Sequence, residues 1–162
     1  MKLRHATMIG LGLLAAGQAV YYFGQLPAVM ATHFDGNGVP DGWMTKGSFF
    51  TLEFALMCVI CVEFLGLPWM IERMPDQWIN LPNKSYWLAP ERRAFAFEKL
   101  RTYFQWFSIA LLAIFISVNQ LVYCANVTGK NFEPAIWPLL GAFFAFVTIW
   151  LIQFILAFRK TS

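Results

Sequence analysis

Four long apolar runs separated by polar insertions set the plan of this chain. They cover about residues 7–24, 49–71, 103–125 and 135–158. Each reaches the ~17–25 residues that cross ~30 Å of hydrocarbon at ~1.5 Å rise per residue. Inside lipid every backbone N–H and C=O must find its partner within the segment, so runs of this length are helices. The pattern predicts an all-α fold, an integral membrane four-helix bundle forming a single domain over residues 1–162. A loop at 25–48 and a polar connection at 72–102 link the first three spans.

Composition agrees. The chain is 59% hydrophobic and only 13% charged, against ~45–50% apolar and ~25% charged in soluble domains. Net charge is +3, but the placement of the basic residues says more. Lys2, Arg4, Arg73, Lys84, Arg92, Arg93, Lys99, Arg101, Arg159 and Lys160 fall on one side of the predicted membrane, and only Lys46 and Lys130 on the other. The positive-inside rule then places both termini and residues 72–102 in the cytoplasm, and the 25–48 loop outside. Tyr21, Tyr22, Trp43, Tyr123 and Trp137 would mark the outer interface, and Trp69, Tyr103 and Trp106 the inner one. Residues 1–19 have a basic start, an apolar stretch and a small-residue end, as a signal peptide does. The apolar run continues through Val20–Phe23, so a retained span is expected. Asn126-Val127-Thr128 is a glycosylation sequon, relevant only in a eukaryotic secretory pathway.

The outer loop is built from turn residues. Pro27 stops the first helix, because it lacks an amide donor and disfavours helical geometry at Leu26. Asp35-Gly36-Asn37-Gly38 tolerates positive φ, and Pro40-Asp41-Gly42 reads as a second turn. Thr45 or Ser48 can cap the second helix. The loop therefore reads as an ordered lid on the outer end of the bundle. His33, Asp35 and Asp41 could hold a cation or a proton there, or simply form a hydrogen-bonded turn.

The order and spacing of Leu26-Pro27, His33-Phe34, Gly38, Pro40-Asp41-Gly42 and Lys46 resemble the membrane family known as domain of unknown function 1648. That domain forms the N-terminal part of SdpI-type immunity and signalling proteins of bacteria. Ala31 departs from the pattern, since relatives usually carry a second proline there. The further helices of the SdpI portion are not expected here, so the immunity role is not carried over whole. The resemblance implies a stand-alone, multi-pass bacterial plasma-membrane protein and supplies no active site.

Residues 75–93, PDQWINLPNKSYWLAPERR, form the cytoplasmic insertion. Its start is irregular, and Pro90 followed by Glu91, Arg92, Arg93, Glu98, Lys99 and Arg101 predicts a cytoplasmic extension of the third span over 90–102. Pro82, Asn83, Lys84, Tyr86, Trp87, Glu91, Arg92 and Arg93 constitute a candidate motif. Its basic residues suit anionic headgroups at ~1 kcal/mol each, with a protein or anionic-ligand site as the alternative.

Ionisable residues within spans are costly and face a partner or a cavity. Glu53, Asn119 and Gln18 fall at similar depth and could form one outer cluster beneath the His33 loop, while Glu63 could pair with Gln153 in the inner half. Interhelical glue is the simplest role for both. Gly12 and Ala16 form a small-xxx-small pair that predicts close packing of the first span. Cys58 and Cys61 lie one turn apart with too few further ligands for a metal.

No Walker loop, HExxH or Gly-x-Ser-x-Gly motif is present, and no cofactor, metal or nucleic-acid partner is expected. The leading reading is a non-enzymatic accessory, sensor or immunity-like protein that binds a membrane protein, peptide or lipid. The alternatives are a small membrane enzyme using His33, Asp35 and Asp41 with Glu53, and an ion-coupled transporter component with Glu53 and Glu63 as relays. The last would need homo-oligomerisation, because four helices are few for alternating access.

Overall fold

The computed structural model describes residues 2–131 and 134–159. Met1, Lys160, Thr161 and Ser162, placed on the cytoplasmic side by the charge pattern, lie outside the described residues. Helix α1 (Lys2–Phe23) leads into strands β1 (Val29–Phe34) and β2 (Pro40–Thr45), then helix α2 (Lys46–Arg73). A 3-10 turn at Asp76–Trp78 and a short helix α3 (Lys84–Trp87) precede α4 (Pro90–Thr128) and α5 (Ile136–Arg159). The chain is 77% helical, and α1, α2, α4 and α5 are each long and apolar enough to cross a membrane.

The helix boundaries follow local chemistry. Thr45 is the N-cap of α2, its hydroxyl accepting from the Ser48 N–H at 3.1 Å. Pro90 occupies the first turn of α4, and Gly129 closes that helix at φ 65°, a conformation glycine adopts without steric cost. The predicted extension of the third span is present, since α4 runs unbroken from residue 90 to 128. At ~1.5 Å per residue it is almost 60 Å long, so roughly half of it overhangs the hydrocarbon.

Helix α4 is the central post: α1, α2 and α5 each pack on it, and α1 and α2 also meet through the ring contacts His5–Phe64 and Phe23–Phe50. Three apolar clusters stack along it. At the end rich in arginine and lysine lie Trp87, Leu88, Phe97, Leu100 and Phe158. Met8, Ala15, Ile60, Phe64, Leu112 and Ile116 fill the middle. Leu26, Met30, Phe49, Val122 and Tyr123 fill the hairpin end. Ion pairs tie the basic end together. Arg101 bridges Glu72 of α2 at 2.9 Å and Glu98 at 3.0 Å, and Arg4 of α1 reaches Glu98 at 3.3 Å.

Three expectations need correction. The loop is an antiparallel β-hairpin, with Pro40-Asp41-Gly42 inside β2 rather than in a turn. Proline is tolerated because it opens the strand. Gly42 faces His33, where a Cβ would come within 2.9 Å of the His33 Cβ, so the glycine answers a close approach between strands. Tyr123 is no interface marker: it is 0% exposed, with its ring between those of Tyr22 and Phe50. The small-xxx-small pair does not pack, since Ala16 is exposed and a Cβ on Gly12 would meet nothing within 4 Å. Ala15, one residue away, faces α4 and is buried.

Candidate functional site

Asp35 makes its own turn. Its Oδ1 accepts from the N–H groups of Asn37 at 2.8 Å and Val39 at 2.9 Å, and Gly38 takes φ 77°. These backbone donors, that of Val39 foremost, hold the Asp35 carboxyl below its ordinary value of 3.8. On the strands that follow, His33 Nδ1 meets Asp41 Oδ1 across a bulge in the register. His33 and Asp41 therefore form an exposed pair, and Asp35 stands apart from it. Among the described residues no three His, Cys, Asp or Glu side chains converge to hold a metal.

Lys46 is a helix closer. Its Nζ donates to the carbonyls of Phe23 at 3.0 Å and Leu26 at 3.1 Å and lies over the Phe23 ring. The end of α1 leaves unpaired carbonyls, and a cation there satisfies both the hydrogen bonds and the helix dipole. Asn126 does comparable work for β1. Its Oδ1 accepts from the Ala31 N–H at 2.8 Å, and its Nδ2 donates to the Ala31 carbonyl at 2.8 Å and to the Val122 carbonyl at 2.9 Å. The side chain thus imitates one residue of a third strand and fastens the hairpin to α4. A sugar on this nitrogen would break the clamp, so the sequon is structural.

Beneath the hairpin, Glu53 is 5% exposed. It accepts from Asn119 Nδ2 at 3.0 Å and from the Tyr123 hydroxyl at 2.6 Å, joining α2 to α4. Gln18, expected in this cluster, belongs to another on the α1 side of α4. It donates to Gln120 Oε1 at 2.7 Å and to the Ile116 carbonyl at 3.2 Å. Gln120 in turn donates to the Tyr22 hydroxyl at 2.6 Å and to Cys124 Sγ at 3.1 Å. Equal depth brings residues to one layer, but only the helix face decides which neighbour they meet.

Glu63 and Gln153 do not pair. The Glu63 carboxylate has no hydrogen bond or ion pair among the described residues. Gln153 is exposed, its carbonyl accepting from the Tyr103 hydroxyl while its side chain lines a groove with Trp106 and Trp150. With α2 and α5 standing on separate flanks of α4, shared depth again fails to imply contact.

The basic-end motif is also a helix closer. Trp87 Nε1 donates to the Phe158 carbonyl at 2.7 Å, Asn83 Nδ2 to the Arg159 carbonyl, and Lys99 Nζ to the Ala157 carbonyl at 2.7 Å. Three donors from outside α5 thus occupy its last carbonyls, which a helix cannot satisfy alone. Asn83 follows Pro82 and holds φ 52°, Arg92 lies over Tyr86, and Arg93 pairs with Asp76. Glu91 sits in the first turn of α4, where its charge suits the helix dipole. Lys84, Ser85, Asp76, Leu88 and Ala89 line a shallow cavity of about 500 Å³ beside this tether.

Residues 10–57, most of α1, the hairpin and the first part of α2, match the family model described as Domain of unknown function (DUF1648). The match covers the segment whose residues carried the resemblance and stops short of α4 and α5. No curated protein and no solved structure matches the chain. Sequence reasoning missed Tyr123, Gln120, Asn126 and Lys99 as site residues. Gln120 within the third apolar run and Asn126 just past it were a usable signal, whereas Tyr123 looked like an interface residue and Lys99 like part of a solvated charged helix.

Proposed function

We propose that this is a non-enzymatic accessory or sensor of the bacterial plasma membrane, with both termini cytoplasmic, that holds a partner laterally within the bilayer. The observation that carries this reading is the open groove between α2 and α4. It is about 330 Å³ and lined by Leu56, Val59, Ile60, Leu111, Ile114, Phe115 and Val118. Most other polar residues of the spans are consumed internally, Glu53 by Asn119 and Tyr123 and Gln18 by Gln120. An immunity or signalling role fits such a scaffold, because a protein of that kind acts by docking rather than turnover.

The test is a photo-crosslinking residue at Leu111 compared with one at the exposed Val20 in living cells. A discrete adduct from position 111 that disappears when Val59→Trp fills the groove is expected. Equal labelling at both positions would refute lateral docking. A second reading, a membrane-surface enzyme, draws on the His33–Asp41 pair, in which a carboxylate orients an imidazole as in general-base catalysis. It requires that His33→Ala abolish the cellular phenotype while folding is kept.

A further inference from the structure

Glu63 is an ionisable side chain within the apolar run of α2 with no hydrogen-bond or ion-pair partner among the described residues. It follows Val59 by four residues and Ile60 by three, so it continues the stripe of α2 that lines the lateral groove. The other wall comes from α4, where Leu111 and Ile114 follow Phe107 at helical spacing. Phe107 packs on Trp150 of α5 at 5.0 Å, so the groove opens on the flank where α5 stands. On α5, Leu151 and Ile155 are exposed, and none of the apolar stretch of that helix is buried.

We infer that the groove receives a transmembrane helix of another protein that carries a lysine or arginine, and that this residue pairs with Glu63. The inference rests on the lateral-docking reading above. Charge complementarity calls for a cation, since a carboxylate at lipid depth is tolerated when it meets one. Depth selects the source. Glu63 lies eight residues before Ile71, the last residue of the apolar run, or about 12 Å inside the hydrocarbon. A cationic lipid headgroup would have to leave the interface to reach it, whereas a basic side chain on a spanning helix is delivered at that level. A second copy of this chain cannot supply the charge. None of its lysines or arginines falls within residues 7–24, 49–71, 103–125 or 135–158, and its histidines are at positions 5 and 33.

The test reconstitutes the full-length protein in phosphatidylethanolamine–phosphatidylglycerol vesicles and measures energy transfer to a labelled single-span peptide. The peptide is a Leu/Ala helix of about 21 residues, long enough to cross once, with one lysine in the half nearest the basic end of the bundle. It should reach half-saturation at about tenfold lower peptide density than the same helix with leucine at that position. Glu63→Gln should erase the difference without lowering thermal stability, because Glu63 makes no hydrogen bond or ion pair among the described residues. Glu63→Lys should restore the preference for a peptide bearing glutamate instead. Equal binding of the lysine and leucine helices would refute the charge pairing while leaving lateral docking standing. Binding of neither helix would overturn both. Transfer between two labelled copies that depends on Glu63 would make a second copy the occupant and equally overturn the inference.

Discussion

Replacing Asn126 by alanine isolates what fastens the hairpin to the bundle. The side chain gives Ala31 two hydrogen bonds of 2.8 Å, one to its N–H and one to its carbonyl, and Ala31 is buried. Each is worth about 1 kcal/mol net, so their loss should raise the free energy of the docked hairpin by about 2 kcal/mol. With ~1.4 kcal/mol per factor of ten, the hairpin should open about thirtyfold more often. Met30, at 0% exposure, and Leu26 still anchor it, so the change should be local opening rather than unfolding. Hydrogen exchange followed by mass spectrometry reads this directly. Amides of residues 28–34 should exchange about thirtyfold faster in Asn126→Ala, while those near Leu112 and Ile116 stay as in the native protein. Asn126→Asp should be at least as damaging, because a carboxylate oxygen would then face the carbonyls of Ala31 and Val122. Unchanged exchange in the hairpin would refute the clamp, and a uniform rise across α4 would show that Asn126 supports the whole fold instead.

Glu53→Leu strands the donors of Asn119 and Tyr123 in the core and should cost about 2 kcal/mol or more, whereas Glu53→Gln, able to bond both, should cost under about 1 kcal/mol; thermal unfolding in detergent separates the two. Trp87→Phe keeps an aromatic ring in the basic-end cluster but loses the bond to the Phe158 carbonyl, so about 1 kcal/mol of local stability and faster exchange over residues 155–159 are expected. Asp35 gives the hairpin turn a pH dependence. Its carboxyl is held below 3.8 in the folded chain, so its contribution is fully present above that value and is lost as pH falls through the lower folded value. Asp35→Asn should abolish the acid-induced loosening of residues 35–39 seen by exchange.

The apolar runs alone determined four membrane-length helices, because hydrocarbon leaves the backbone no other solution. The family match lies where Leu26-Pro27, His33, Gly38 and Lys46 carried the resemblance. The cap at Thr45, the turn at Asp35–Gly38 and the extension of α4 from Pro90 were legible too, since each depends on residues within a few positions. What the sequence could not contain was azimuth, the direction each helix turns its faces around α4. Depth is additive along a chain and can be counted, but azimuth is fixed by packing. It sent Gln18 to Gln120 rather than Glu53, paired Glu53 with Tyr123 as well as Asn119, and kept Glu63 away from Gln153. Only the tertiary structure also showed that Lys46, Lys99, Trp87 and Asn126 serve backbone groups far away in sequence. Helix ends and strand edges leave unpaired polar groups whose partners need only be near in space, and nothing local records which donor will arrive.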